Sequence, residues 1–158
     1  QEQIKEYTGT FTIGATTPSY DLETTIDKTF DISHITPSLI EETRKQFIGT
    51  IQQKPPIFSA IKHDGKRLYD LARKGETAEI KSREITIFEF EITKIEMPNL
   101  HFRAVCSKGT YIRSLAFDFG KALNSGAHLS ALRRTKIGEF SVDNAFSVES
   151  FIKKLSVE

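Results

Sequence analysis

The residues of this chain that best suit an anion are Lys108 and Arg113, which flank a glycine turn in the run CSKGTYIR at 106–113. The run joins an alternating apolar segment to an apolar pattern of helical period, so the turn leads into the N-terminus of a predicted helix. Free N–H groups and the positive dipole end of a helix favour a carboxylate or a phosphate at that point. The same pattern is typical of an ordinary capped helix with Arg113 in solvent, and the residue pattern alone leaves both interpretations open.

Two further runs carry cations that suit the phosphates of a nucleic acid. The first, KHDGKRLYDLARK at 62–74, reads as a turn followed by a short helix, and the second is LRRTK at 132–136. The basic residues of interest in the first run are Lys62, Lys66, Arg67 and Arg73. Lysine and arginine in such places neutralise backbone phosphates. Both runs are equally consistent with solvated surface, and the second also with a strand edge protected by charge.

The sequence does not offer the residue patterns of a zinc site, a glycine-rich phosphate loop or a catalytic serine. A zinc site needs several cysteine or histidine ligands at close spacing, and the chain has one cysteine and four scattered histidines. Glycine-rich phosphate loops and a nucleophile elbow around a serine are also missing from the sequence. We therefore expect no metal and no cofactor.

Strands that could position the basic runs are predicted where apolar and polar residues alternate. Residues 7–13 alternate and stop at Gly14, and residues 100–106 alternate cleanly. Residues 85–92 predict a strand with a change of face, and a turn at 97–99 joins the last two. Shorter strands are expected at 57–62 and around 134–140.

Helices are predicted where apolar residues recur at 3.6-residue spacing. Thr36 and Pro37 give an N-cap and first turn for a helix that Gly49 stops. The strongest helical pattern runs from Tyr111 to Leu123, and shorter helices are expected at 68–74 and after Ser147. Strands and helices without strict alternation favour an α+β fold with a mixed, mostly antiparallel sheet flanked by helices.

Bulk composition indicates one ordinary domain. The chain has 158 residues, 38% hydrophobic and 27% charged, and its single cysteine fits a reducing compartment. The sequence has no run of about 20 apolar residues and no apolar signal core at its start, so we expect a cytoplasmic protein without a membrane partner. Residues 1–53 contain four Lys/Arg and eight Asp/Glu, whereas residues 54–158 contain 18 and 13, an imbalance that fits an anionic partner for the later part or a solvated face.

Four segments in order resemble the TruB family of tRNA pseudouridine synthases. Residues 5–21 resemble its K-x-Y strand and the Thr/Asp loop behind it, although Thr24 stands where the family usually has glycine. Residues 55–75 resemble its P-P-x-[YF]-S-A-[LI]-K segment and the helix that follows. Residues 106–113 and 126–134 resemble its last two motifs. The resemblance runs from about residue 5 to 155 and is closer to the stand-alone bacterial members than to the guide-RNA-dependent ones.

The resemblance implies a pseudouridine synthase-like fold and an isomerase that converts the T-loop uridine at position 55 of tRNA to pseudouridine. It assigns Tyr7 to stacking on the flipped target base and, given a lowered pKa, to proton removal at C5. It assigns Tyr111 and Leu132 to the uridine pocket, and it places Arg113 against the catalytic aspartate. The T-stem-loop of tRNA becomes the expected partner, with phosphate contacts from Lys62, Lys66, Arg67 and Arg73.

The family's nucleophilic aspartate belongs to a Gly-Thr-Leu-Asp-Pro-like loop upstream of the K-x-Y strand, and no such loop occurs in these 158 residues. Asp21 and Asp118 match family positions that are not the nucleophile. We therefore expect residues 1–158 to be a partial catalytic domain that lacks its N-terminal segment and a C-terminal RNA-binding domain. Such a piece would be inactive alone, with the ionic partner of Arg113 outside the chain and a surface open to non-native self-association. The alternative is a catalytically dead RNA-binding module of the same fold.

Overall fold

The computed structural model describes residues 4–56 and 81–135. Its elements in chain order are β1 (Ile4–Ile13), β2 (Ala15–Thr16), β3 (Lys28–Thr29), α1 (Pro37–Lys45), β4 (Gly49–Gln53), β5 (Arg83–Glu96), β6 (Asn99–Ser107), α2 (Ile112–Ala122) and β7 (Ala127–Thr135). Within these ranges no helix has both the length and the apolar character needed to cross a membrane.

Five strands form one sheet in the order β4-β5-β6-β1-β7, and every neighbouring pair is antiparallel. The strands β2 and β3 form a separate two-stranded ladder. Because β1 lies between β6 and β7, it brings the start of the chain against two later segments. The predicted α+β fold with a mostly antiparallel sheet is confirmed.

Phenylalanines from three strands and one helix form the centre of the core. Phe11 of β1 stacks on Phe102 of β6 with ring centroids 4.3 Å apart, and Phe90 and Phe119 pack around this pair. All four side chains are buried. Burial of each ring contributes about 1.5–3 kcal/mol relative to an exposed ring, and Phe119 is the residue by which α2 joins this aromatic cluster.

The predicted change of face in β5 is confirmed as two register shifts against β6, between Ile87 and Glu89 and between Ile92 and Lys94. A bulge inserts an extra residue and turns the following side chains to the other face. Ile87 and Phe90 are therefore both buried although they are three residues apart.

Strand β7 corrects the prediction for the later part of the chain. The sequence predicts a strand around 134–140, whereas β7 runs from Ala127 to Thr135. Its first three residues are all buried and its register against β1 shifts between Thr10 and Phe11, so simple alternation is lost. The elements predicted at 57–62, at 68–74 and after Ser147 lie outside the described residues.

Candidate active site

A cavity of about 580 Å³ opens between β7, the loop at 17–24 and the N-terminus of α2. Its lining includes Tyr7, Tyr111 and Leu132, which are predicted to contact the target base, and Arg113, which is predicted to hold the catalytic aspartate. It also includes Asp21. Residues that are distant in the sequence therefore meet at one pocket because β1 pairs with β7 and α2 follows β6.

Four consecutive residues of β7, Leu129 to Leu132, line the pocket. The register of β7 against β1 shifts there: Phe11 pairs with Leu129, Thr10 pairs with Ala131, and Ser130 is the extra residue between them. Leu132 remains 48% exposed. Gly9 lies opposite Leu132, and a Cβ there would sit 2.2 Å from the Ala131 carbonyl oxygen, so the close approach of β1 and β7 requires glycine.

The conformation of the turn before α2 is constrained by its glycine and by two side-chain contacts. Gly109 has a φ of +90°, a conformation that side chains other than hydrogen rarely allow. The Thr110 hydroxyl donates to the Ser107 carbonyl at 2.9 Å. The Arg83 guanidinium lies 5.9 Å from the centroid of the Tyr111 ring, within cation–π range. Tyr111 thus enters the pocket wall from a constrained turn.

Arg113 forms an ion pair inside the described chain, with Nη1 3.6 Å from Oδ2 of Asp21. The side chains are only 17% and 20% exposed. The other oxygen of Asp21, Oδ1, accepts hydrogen bonds from the Ser19 hydroxyl at 2.5 Å and from the Glu23 amide at 3.0 Å. The described chain thus supplies one ionic partner of Arg113 itself, and sequence reasoning missed this pair although Asp21 belongs to the Thr/Asp loop. The expectation that Arg113 also holds an upstream catalytic aspartate stays a prediction.

The loop that carries Asp21 is tied to both neighbouring elements. The Tyr20 ring stacks on Phe117 of α2 at 4.2 Å, and the Tyr20 carbonyl accepts from the Leu129 amide of β7 at 2.8 Å. Thr24, at the position where the family usually has glycine, takes part in the hydrogen bonds of the loop, since its Oγ1 accepts from the Ser19 amide at 3.1 Å. Asp21 is therefore held in place before any substrate arrives.

Tyr7 lines the pocket, but its surroundings do not favour a tyrosine that acts as a base. Burial raises the pKa of the Tyr7 hydroxyl, the neighbouring Cys106 raises it further, and Arg134 opposes both. The hydroxyl is therefore protonated at neutral pH. Proton removal by Tyr7 requires a lowered pKa, and this structure shows the opposite direction, whereas a stacking role needs only the ring.

The predicted phosphate-binding residues Lys62, Lys66, Arg67 and Arg73 lie outside the described residues. Of the other basic run, Arg133 and Arg134 are exposed on β7. Within residues 4–56 and 81–135, no group of three or more His, Cys, Asp or Glu side chains lies together as a metal site.

Two sequence families match the chain. Residues 1–112 match the TruB family pseudouridylate synthase N-terminal domain, and residues 113–157 match the tRNA pseudouridylate synthase B C-terminal domain. The boundary falls in the first turn of α2, yet β7 on one side of it pairs with β1 on the other. In the described residues both parts therefore share one sheet.

Curated relatives agree with these families. The chain is 67% identical over 155 residues to tRNA pseudouridine synthase B of Flavobacterium johnsoniae, covering 98% of this chain and 68% of the relative. It is 55% identical over 151 residues to the protein of the same name from Phocaeicola vulgatus, covering 96% and 64%. The chain thus spans about two thirds of the length of these relatives.

Solved structures of the same fold include a chain of a Cbf5-Nop10-Gar1 complex, which matches with a TM-score of 0.59 and 25% identity over 95% of this chain and 35% of that one. A chain of an H/ACA RNP bound to a substrate RNA containing 2'-deoxyuridine matches with a TM-score of 0.55 and 24% identity, over 98% of this chain and 37% of that one. The second match has less than 25% identity, so it supports the fold alone.

Proposed function

Because the chain belongs to the TruB family of pseudouridylate synthases, we propose that it is catalytic-domain sequence of a tRNA pseudouridine synthase, which isomerises the T-loop uridine at position 55. The observation that carries the proposal is the single pocket that joins Tyr7, Tyr111 and Leu132 to the Arg113–Asp21 pair. Its volume falls within the range of about 300–1,000 Å³ that is usual for small-molecule sites. A nucleotide turned out of an RNA loop is a ligand of that size.

The pocket divides into two parts with different chemistry. Tyr7 and Leu132 supply an aromatic ring and an apolar wall, which suit the faces of a flipped base. Arg113 and Asp21 supply a charged pair with little exposure, where electrostatic interactions are stronger than in water. Binding of the base and stabilisation of charge would then occur in one site.

An attacking carboxylate is still needed for the isomerisation that this family carries out. Asp21 and Glu23 are the carboxylic residues that line the described pocket. Asp21 is already engaged by Arg113, Ser19 and Glu23. We assign the nucleophile to a segment outside these 158 residues, with Arg113 placed to bind it together with Asp21, and we expect the 158 residues alone to be inactive.

The expected substrate is the T-stem-loop of tRNA, with Lys62, Lys66, Arg67 and Arg73 as phosphate contacts. The excess of basic residues after residue 53 and the exposed Arg133 and Arg134 support an anionic partner. Tyr7 acts as the stacking platform. A cytoplasmic location fits an enzyme of tRNA, and self-association of the isolated 158 residues is a further expectation that sedimentation at several concentrations would test.

The competing function, an RNA-binding module without catalysis, is not favoured by relatives that are named as synthases. The two functions are separated by incubating the complete natural protein with a T-stem-loop RNA and mapping pseudouridine by carbodiimide-dependent primer-extension stops. A stop at the target uridine supports the synthase. RNA binding without any stop would favour the module instead.

A further inference from the structure

The end of β4 fastens the first turn of α2 through two consecutive residues. Gln53 is only 1% exposed, and its Oε1 accepts a hydrogen bond from the Tyr111 amide at 2.8 Å. The carbonyl of Lys54 accepts from the hydroxyl of the buried Ser114 at 2.6 Å. The helix N-terminus is therefore fixed to a strand that is far away in the sequence.

Tyr111 makes this attachment unusual because it is the N-cap residue of α2 and makes no capping hydrogen bond with its own side chain. A helix N-terminus normally obtains acceptors from a Ser, Thr, Asp or Asn side chain at that position. Gln53, on another element, accepts from the amide of Tyr111 itself, which is the group that a Glu or Gln at the third helical position reaches in a capping box. The position of the first turn thus depends on an amide outside the helix.

The other half of the Gln53 amide shows which atom matters. Its Nε2 is buried and has no hydrogen-bond partner among the described residues. A buried donor without a partner is unfavourable, so packing alone would favour an apolar side chain of similar length at this position. The acceptor bond from Oε1 to Tyr111 is the contact in the described structure that accounts for an amide there.

We propose that Gln53 is a positioning residue of the reaction, which sets the N-terminus of α2 so that Arg113 faces Asp21 and Tyr111 lines the pocket. Tyr111 and Arg113 lie on either side of Ile112, so a shift at the Tyr111 amide moves both. The proposal rests on the proposed function, because it assigns Gln53 to the catalytic geometry of that same site. Gln53 itself is not among the residues that line the pocket.

The test uses three variants of the complete natural protein with a T-stem-loop RNA. Gln53→Met keeps the length of the side chain but removes the acceptor, and Gln53→Glu keeps an acceptor and places its charge at a helix N-terminus, where it is favoured. Gln52→Met is the matched control, because Gln52 is the exposed neighbour on the same strand. We expect Gln53→Met to lower kcat by about 10²-fold with KM unchanged, as misplacement of a charge-orienting group does. Gln53→Glu should restore most of the rate, and Gln52→Met should match the wild type.

A second measurement does not depend on activity. The Tyr111 amide should be protected from hydrogen exchange in the wild type and in Gln53→Glu, and should exchange faster in Gln53→Met while the β1 and β6 amides stay protected. Equal kcat in Gln53→Met and the wild type, or unchanged Tyr111 protection, would overturn the proposal. A wild-type protein that never forms pseudouridine would refute the proposed function instead, and the exchange experiment would then show separately whether Gln53 sets the turn.

Discussion

Arg113 and Asp21 form an ion pair in the lining of the pocket, with Nη1 and Oδ2 3.6 Å apart, and Asp21 is fixed by hydrogen bonds of its own loop. The pair therefore has its geometry before an RNA or a further carboxylate arrives. A guanidinium has several donors in a fixed plane, so Arg113 can hold Asp21 and still bind a second carboxylate. The arrangement makes Arg113 the residue through which the two acidic groups would be coupled.

Replacing Arg113 tests that role in the complete natural protein. Arg113→Lys keeps the positive charge but loses the planar set of donors, so we expect kcat to fall by about 10²-fold or more. Binding of a T-stem-loop RNA should change little, because Arg113 is largely buried beside Asp21. Single-turnover kinetics and a filter-binding assay measure the two quantities, and parallel losses in both would make Arg113 a phosphate contact.

Asp21→Asn tests the other half of the pair. The amide keeps an oxygen for the Ser19 and Glu23 donors but removes the charge that faces Arg113. We expect a large loss of kcat and a decrease of about 1 kcal/mol in the free energy of unfolding, because the pair is partly exposed. Urea unfolding measures the second effect.

Asp31→Asn is the matched control for Asp21→Asn. Asp31 also accepts from a serine hydroxyl and a backbone amide two residues later, both from Ser33, but its side chain is 75% exposed. Asp31→Asn should leave kcat unchanged. An unchanged kcat in both variants would show that the charge at Asp21 has no part in the reaction.

Local patterns were sufficient for the parts of the site that depend on one element. The alternation through Tyr7 predicted β1, and the helical period after Gly109 predicted α2 with Arg113 in its first turn. Resemblance to a family then supplied Tyr111 and Leu132 as pocket residues, and the cavity brings both together. The predictions of β1 and α2 needed only residues that lie close together in the sequence, whereas the roles of Tyr111 and Leu132 came from four motifs in order along the chain.

Contacts between distant segments were beyond such patterns. The ion pair of Asp21 with Arg113 depends on how the loop at 17–24 folds onto α2. The spacing of apolar residues along the sequence does not predict such a contact. The start of β7 was missed because Ser130 interrupts its alternation, and the bond from the Tyr111 amide to Gln53 joins two elements without a shared motif. Each follows from tertiary packing rather than local propensity.

Leu22 offers a test of the pocket mouth that does not disturb the core. It lines the pocket yet is 63% exposed, and Ile26 in the following segment is 56% exposed without lining it. Leu22→Ala should raise KM for the RNA several-fold by removing apolar contact with the substrate, with the thermal midpoint unchanged. Ile26→Ala is the control and should change neither. Equal KM values for both variants would place the substrate away from Leu22.

The reactivity of the Cys106 thiol tests whether this residue of β6 is buried in the folded protein. Burial raises the pKa of Cys106 to about 11, from an ordinary value of 9.0. Since the folded pKa is the higher one, this residue's contribution to stability is complete below pH 9 and is lost as the pH rises towards 11. A disulfide reagent at pH 8 should therefore label the single thiol of the chain only as fast as the protein opens, and immediately in urea. Rapid labelling of the folded protein would contradict the buried position of Cys106.

The proposed function places the isomerisation of a T-loop uridine in the pocket around Tyr7, Arg113 and Leu132. The most direct measurement is tritium release from a T-stem-loop RNA labelled at C5 of its uridines, because exchange at C5 accompanies formation of the new carbon–carbon bond. We predict release by the complete natural protein, loss of that release in Arg113→Ala with the fold intact, and none from an RNA whose target uridine is replaced by cytidine. Release that persists unchanged in Arg113→Ala, or a folded wild-type protein that binds the RNA and releases no tritium, would contradict the account.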